Sequence, residues 1–237
     1  RVLAQVVYYF SAAVSLGAPD RKVSFTVPTG NFGDIFAGYI AKSMGLPVDK
    51  LILATNENDI LARFFNSGTY EMGQVNFTIS PAMDIQIASN FERFLYFLVD
   101  KNPEKVREVM SEFKTSGKVV LDSHYMKNND CMVSAPSNTE KTLATIKKYW
   151  SDENYLLDPH TAVGVNVAET LDLESKTGCL STAHPAKFPD AIKDATGEDL
   201  AKHPTLEALK GAETRCHKAS GSIEEVKAYL SENALSS

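Results

Sequence analysis

The sequence predicts an α/β fold in which a parallel sheet carries helices on both faces. Alternating β-branched residues predict a strand at Lys22–Val27, and a short apolar run predicts a second strand at Leu51–Ala54. Between and after these strands, apolar residues at helical spacing predict helices at Asp34–Met44 and Asn58–Asn66. A strand, a helix, a strand and a helix in this order form the βαβ pattern of a parallel sheet.

The composition is that of a large folded domain. Of the 237 residues, 43% are hydrophobic and 23% are charged, so a substantial core can form and wholesale disorder is excluded. The net charge is −6 and no basic stripe is visible, so we expect no nucleic-acid partner. The cysteines Cys131, Cys179 and Cys216 form neither a disulfide framework nor a zinc ribbon, and the histidines form no metal triad. We therefore expect no metal site and a reducing compartment, the cytoplasm.

The chain opens with an uncharged apolar run, Val2–Pro19. A signal-peptide core or a membrane span would also be apolar, but Gln5 and Ser11 lower the hydrophobicity below what a single span needs. We therefore predict a buried helix that Gly17 ends, and no association with a membrane. Because no polar cap precedes this helix, we expect further chain upstream of Arg1.

Changes in residue pattern divide the chain into three parts. Residues 1–83 form an α/β subdomain, 84–150 a helical insertion, and 151–237 a return to the α/β core followed by C-terminal helices. The middle part carries three helical patterns, at Ile85–Val99, Pro103–Lys114 and Asn138–Trp150. The last part carries a predicted helix at Thr161–Leu171, a final strand at Gly178–Ala183 and a helix after Ser222.

The turn Val27–Asp34, with the sequence VPTGNFGD, is the most informative segment. A strand that enters a helix through a turn with two glycines directs several backbone N–H groups at one point, and the helix dipole favours an anion there. Gly30 and Gly33 carry no Cβ that would block a close approach. The turn is neither a Walker A loop nor a dinucleotide fingerprint, and a purely structural βα turn is the alternative. Asp34 would repel an anion unless its carboxylate turns away or caps the helix.

Longer sequence blocks resemble a known family. The blocks are VPTGNFGDIFAGYIAKSMGLP, ATNENDILARFFNSGTY, TISPAMDIQIASNFERFLYFL, LLDPHTAVG and LSTAHPAKF. Together they closely resemble threonine synthase of the fungal type, a family of pyridoxal 5′-phosphate (PLP) enzymes with the tryptophan-synthase-β fold, which is fold type II. The resemblance runs from residue 1 to at least residue 195. It implies a carbon–oxygen lyase that converts O-phospho-L-homoserine and water to L-threonine and phosphate.

The resemblance also implies roles for single residues. The turn that holds the cofactor 5′-phosphate, mainly through main-chain N–H groups, corresponds to Gly30, Asn31, Phe32, Gly33 and Asp34. The hydroxyl next to the pyridine nitrogen corresponds to Thr182. A hydroxyl cannot stabilise a protonated pyridine as a carboxylate does, so the ring should be a milder electron sink. The alternative for Thr182 is a β-branched residue that fills a strand.

One expected block is absent. The family's Schiff-base lysine lies in a Ser-Phe-Lys-Asp block, and that block does not occur in this sequence. We therefore assign no catalytic residue, expect the lysine in a missing N-terminal part of the same protein, and expect this chain alone to be inactive. Two alternatives stay open. One is a phospho-lyase of the same fold that eliminates phosphate without adding water, and the other is a non-catalytic fragment that acts as a binding module.

Overall fold

The computed structural model describes residues 1–234 and groups the chain into two compact units, Arg1–Lys202 and a C-terminal unit that begins at His203. The strands within the described residues are β1 Val23–Pro28, β2 Val48–Thr55, β3 Thr69–Glu71, β4 Lys118–Val120, β5 Met132–Pro136 and β6 Thr177–Cys179. The helices of the first unit are α1 Val2–Leu16, α2 Gly33–Ser43, α3 Ile60–Ser67, α4 Phe91–Leu98, α5 Pro103–Ser116, α6 Ser123–Met126, α7 Thr139–Glu153, α8 Pro159–Leu171 and α9 Pro189–Thr196. The second unit carries α10 Pro204–Ala208 and α11 Ile223–Asn233, and α11 begins after Ser222 as predicted.

A parallel sheet of order β5-β2-β1-β6 forms the centre of the first unit, and β3 and β4 form a separate antiparallel pair. Successive residues of β2 face opposite sides. Leu51 and Leu53 belong to the large core with α1, α2 and α4, whereas Ile52 and Ala54 pack with Val163 of α8. Both faces of the sheet are therefore covered by helices, and the predicted α/β class is confirmed.

Strand β1 is buried along its whole length. Val23, Phe25 and Val27 join the large apolar core on one face. On the other face, the Thr26 hydroxyl donates a hydrogen bond to the Gly164 carbonyl of α8 at 3.1 Å. The strand that precedes the glycine turn is thus fixed from both sides, which gives the turn a rigid base.

The segment 84–150, predicted to be a helical insertion, also contains β5, which pairs with β2 in the central sheet. The sequence MVSAP hides this strand because it is short, contains a serine and a proline, and lacks alternation. Helix α4 is shorter than the predicted Ile85–Val99, because the residues before Phe91 form a loop with a buried Ala88. Residues 1–202 form one compact unit that includes positions 83 and 150. The predicted subdivision at those two positions stays a prediction.

Helix α1 ends at Gly17 as predicted, with Gly17 in the left-handed conformation at φ 108°. The prediction of a buried helix holds for one face only. Val6, Tyr9 and Ala13 are buried, whereas the opposite face of the helix exposes apolar side chains, among them Leu3 and Val7. Within residues 1–234, none of the helices combines the length and the apolar character that a membrane crossing requires.

Candidate cofactor site

A cavity of about 890 Å³ lies at the carboxyl ends of β1 and β6. The two strands are parallel neighbours, with Thr26 paired to Cys179, so the segments that follow them leave the sheet at the same edge. After β1 comes the turn 28–34 and after β6 the segment 180–182, and both line the cavity. Crevices at the carboxyl ends of parallel strands are the usual ligand sites of such sheets, and this volume suits a small molecule.

Within the turn, Phe32 directly precedes α2 and adopts the left-handed conformation at φ 64°. This conformation costs a non-glycine residue about 1–2 kcal/mol. The Phe32 ring is buried and contacts an aromatic cluster of α3 and α4, with ring centroids 5.5–6.0 Å away: Phe65, Phe91 and Phe94. Burial of the ring offsets the backbone cost, because replacing a buried phenylalanine by alanine costs about 3–5 kcal/mol.

The turn presents free backbone donors. No residue among the described 1–234 accepts a hydrogen bond from the backbone N–H groups of Gly30, Asn31, Phe32 or Gly33. These donors lie at the N-terminal end of α2, where the helix dipole adds partial positive charge. The stretch 30–33 lines the cavity, so it can bind an anion with main-chain N–H groups.

Two contacts fix the position of the turn. On one side, the Asn31 carbonyl accepts hydrogen bonds from the backbone N–H of Asn90 at 3.1 Å and from its side-chain amide at 3.0 Å. On the other side, a Cβ on Gly30 would lie 2.6 Å from the carbonyl oxygen of Ala82, so only glycine fits without a shift of backbone. Gly30 is therefore required by its protein neighbour and not only by a ligand.

The Asp34 carboxylate does not cap α2 but accepts hydrogen bonds from side chains of α1. Its Oδ1 accepts hydrogen bonds from the hydroxyls of Tyr8 at 2.9 Å and Tyr9 at 3.2 Å, and the Tyr9 hydroxyl also reaches the Asp34 carbonyl at 3.0 Å. Burial raises the pKa of Asp34 above its usual value, although the two tyrosine hydrogen bonds act to lower it. Burial and the Asp34 charge raise the pKa of Tyr8 to about 12. The Asp34 carboxylate is thus hydrogen-bonded to two neutral hydroxyls. Asp34 can therefore contribute only its main-chain N–H to an anion site.

Thr182 lies in the loop after β6, since the strand ends at Cys179 and not at Ala183 as predicted. Its backbone N–H donates to the Thr161 hydroxyl of α8 at 3.3 Å. Its own hydroxyl has no hydrogen-bond partner among the described residues, and the residue lines the cavity. The alternative reading of Thr182 as a strand-filling residue is therefore wrong.

Other residues of the cavity were not found from the sequence. Arg1 and Arg93 add positive charge to the lining, and Asn90 holds the turn. Asn90 precedes the apolar helix α4, which is the position of a cap, but its contact with Asn31 depends on tertiary packing. His184 caps the short turn after it, with its Nδ1 accepting from the Ala186 N–H at 3.1 Å. Within residues 1–234, no group of three or more His, Cys, Asp or Glu side chains is arranged to hold a metal ion.

Comparison with known proteins assigns the chain to a family. Residues 161–230 match a family model described as threonine synthase, C-terminal. Threonine synthase from Pseudomonas aeruginosa is 44% identical over 98% of this chain, and threonine synthase from Saccharomyces cerevisiae is 46% identical over 82% of it. The solved structure of PLP-bound threonine synthase from Brucella melitensis matches all of this chain with a TM-score of 0.92 and 46% identity.

The chain belongs to the threonine synthase family. It spans about half the length of the curated relatives it matches, 50% of the Pseudomonas protein and 42% of the yeast protein, and 51% of the Brucella chain. The resemblance stated from the sequence blocks is therefore confirmed, and with it the fold shared with PLP-dependent threonine synthases. The family relation extends over the cavity, because both the glycine turn and the Thr182 loop lie within the matched length.

Proposed function

We propose that this chain is the C-terminal part of a PLP-dependent threonine synthase that converts O-phospho-L-homoserine and water to L-threonine and phosphate. One observation carries the proposal: the residues before α2 whose backbone N–H groups have no acceptor among the described residues line the same cavity as Thr182. An anion-binding turn and a neutral hydroxyl on one cavity fit a cofactor with a phosphate ester and a pyridine ring. The PLP-bound neighbour from Brucella melitensis supports this choice.

The phosphate contacts are assigned to the turn. Gly30, Asn31, Phe32 and Gly33 would bind the phosphate dianion through their backbone N–H groups, with the N–H of Asp34 beside them. Phosphate binding here needs no lysine or arginine side chain, because several N–H groups and the helix dipole together stabilise a dianion. The Asp34 carboxylate accepts hydrogen bonds from the hydroxyls of Tyr8 and Tyr9, so it does not compete with the phosphate for the N–H groups of the turn.

Thr182 is assigned to the pyridine nitrogen. A hydroxyl is a neutral hydrogen-bond donor, so it orients the ring without stabilising a protonated nitrogen. When bound, PLP supplies an electron sink for negative charge that develops on the substrate. The residues of this chain would position the PLP ring. The buried Phe32 ring would keep water from the side of the turn that faces the core.

The remaining parts of the proposal follow from the family relation. The small-molecule substrate is O-phospho-L-homoserine, and the partner is the N-terminal part of the same protein, which would carry the Schiff-base lysine. No lysine occurs among the described residues that line the cavity. We place the protein in the cytoplasm, in keeping with its three free cysteines.

The test of the reaction uses full-length protein that contains this chain, incubated with PLP and O-phospho-L-homoserine. Release of threonine and phosphate supports the proposal. Release of 2-oxobutyrate, ammonia and phosphate identifies the phospho-lyase alternative. Protein that gains no visible absorbance with PLP and forms no product would instead be a non-catalytic binding module.

The substitution Gly33→Asp tests whether the glycine turn binds the cofactor phosphate. A carboxylate at this position repels the phosphate and fills the space beside the N–H groups, so we expect the protein to lose PLP on gel filtration. Gly73→Asp is the matched control, because a Cβ at Gly73 would make only ordinary contacts of 3.6–3.8 Å and Gly73 does not line the cavity, so the same charge is added outside it. Retention of PLP by the Gly33→Asp protein would contradict the assignment.

A further inference from the structure

Asp158 makes more hydrogen bonds than a helix cap requires. It is 1% exposed and precedes α8, where its Oδ1 accepts from the backbone N–H groups of His160 at 2.9 Å and Thr161 at 3.3 Å, as a cap does. In addition, Oδ1 lies 3.2 Å from Nδ1 of the His160 ring, and Oδ2 accepts from the Thr161 hydroxyl. Two side chains are therefore oriented by one buried carboxylate.

The His160 side chain connects Asp158 to the phosphate turn, which is the glycine turn of residues 28–34. Nε2 of the His160 ring accepts a hydrogen bond from the backbone N–H of Ala82 at 3.2 Å. A backbone N–H can only donate, so Nε2 carries no proton and the ring proton lies on Nδ1, facing Asp158. Ala82 in turn places its carbonyl against Gly30, where a Cβ would lie 2.6 Å from the oxygen. The path Asp158–His160–Ala82 thus ends at the first glycine of the turn.

The Thr161 side chain connects Asp158 to the Thr182 loop, residues 180–182. The Thr161 hydroxyl has one proton, which it donates to Oδ2 of Asp158, so its oxygen lone pairs are free to accept. They accept from the backbone N–H of Thr182 at 3.3 Å. The path Asp158–Thr161–Thr182 thus ends at the residue assigned to the pyridine nitrogen.

We infer that Asp158 is a positioning residue that sets the distance between the two ends of the cofactor site, the phosphate turn and the Thr182 loop. The inference rests on the proposed function, since it concerns PLP in this cavity. Burial acts to raise the pKa of Asp158, but the hydrogen bonds from His160 and Thr161 outweigh it and hold the pKa below the usual value. The carboxylate is therefore ionised at neutral pH and accepts from both side chains at once.

The chain contains a matched control for capping alone. Asp122 precedes α6 and repeats the same local pattern, since its Oδ1 accepts from the backbone N–H of His124 at 3.0 Å and lies 2.8 Å from Nδ1 of that ring. This pair is more than half exposed and does not line the cavity. Asp122→Asn therefore measures the loss of a capping charge without any effect on the site.

The experiment uses full-length protein that contains this chain, loaded with PLP. Two signals are recorded, the phosphorus-31 resonance of the cofactor phosphate and the visible absorbance of its ring. Asp158→Asn keeps a capping oxygen but cannot accept from both side chains, so we expect both signals to change and PLP to bind about tenfold more weakly. Asp122→Asn should leave both signals and the affinity unchanged. Equal behaviour of the two variants would overturn the inference.

The two paths are separated by three further variants. His160→Asn keeps the contact with Asp158 but does not reach Ala82, so we expect a changed phosphorus-31 resonance and an unchanged ring absorbance. His160→Gln places an amide oxygen near the position of Nε2, so it should restore the phosphorus-31 resonance. Thr161→Val removes the hydroxyl and should change the ring absorbance alone.

These variants also decide the question if Asp158→Asn fails to fold. The inference is wrong if His160→Asn and Thr161→Val alter the same signal, or if neither alters any signal. Failure of the proposed function is a different result, because the unsubstituted protein itself would then bind no PLP.

Discussion

Alanine at Gly30 and alanine at Gly33 should have opposite effects, although the two glycines belong to one turn. A Cβ on Gly30 would lie 2.6 Å from the Ala82 oxygen and 3.4 Å from the Met83 Cα. Both are backbone atoms, and the N–H of Ala82 is bonded to His160, so neither can rotate away. An ordinary contact needs about 0.8 Å more, and overpacking of this kind costs about 1–3 kcal/mol.

Gly33 has different neighbours. Its Cβ would lie 3.3 Å from Nδ2 of Asn90, which need shift by only a few tenths of an ångström, and 3.8 Å from Oε1 of Gln5, which is an ordinary contact. Gly33 does not adopt a positive φ, so alanine is compatible with its backbone and should stabilise the fold by about 0.4–1 kcal/mol. The methyl group, however, would stand among residues that line the cavity and block one N–H from the phosphate. Loss of one hydrogen bond to a charged group costs about 1.5–3 kcal/mol, or about 10- to 150-fold in PLP affinity.

The assay combines thermal unfolding without PLP and a fluorescence titration with PLP. Gly30→Ala should lower Tm by roughly 2–4 °C for each kcal/mol lost, whereas Gly33→Ala should keep or raise Tm and bind PLP more weakly. The reasoning is refuted if Gly30→Ala is as stable as the unsubstituted chain. It is equally refuted if Gly33→Ala binds PLP with unchanged affinity.

Three more predictions concern groups around the cavity and the core. Because burial raises the pKa of Asp34 in the folded state, ionisation costs stability as pH rises through that pKa. Asp34→Asn should therefore be at least as stable as the unsubstituted chain in urea at pH 7, and lose that advantage below about pH 4, where the unfolded carboxyl is also protonated. Tyr9→Phe leaves Asp34 without its buried donor and should cost about 1–3 kcal/mol by urea unfolding. Burial raises the pKa of Cys131 and of Cys179 to about 12, so with a thiol reagent at pH 8 the exposed Cys216 should react first, and faster reaction of either other thiol would contradict this.

The local pattern of the sequence predicted the parts of the fold that depend on near neighbours. Strand β1, the glycine turn and helix α2 lie within one residue of their predicted positions, because alternation, glycines and helical spacing are local signals. Strand β5 was missed because its pairing with β2 comes from the tertiary fold. The end of the last strand was placed too late, since pairing with β1 stops at Cys179 and residues 180–182 line a cavity instead.

The candidate site was predicted in part. The turn and Thr182 were named from the sequence, and the structure brings both to one cavity. Asp158 caps α8, and the proline that follows it is a local signal for such a cap. The contacts of Asp158 with the two ends of the cavity could not be predicted, because His160 meets Ala82 across 78 positions of sequence. Likewise, nothing local indicates that Tyr8 would bind Asp34.

Phe32 limits how far this turn can be redesigned. Its backbone starts the helix in a left-handed conformation, while its ring is held among Phe65, Phe91 and Phe94. A library at this position is therefore restricted to large aromatic side chains, and smaller residues would hollow out the protein interior. Efforts to retune the turn for another anion should vary Asn31 instead, whose side chain stands outside that interior.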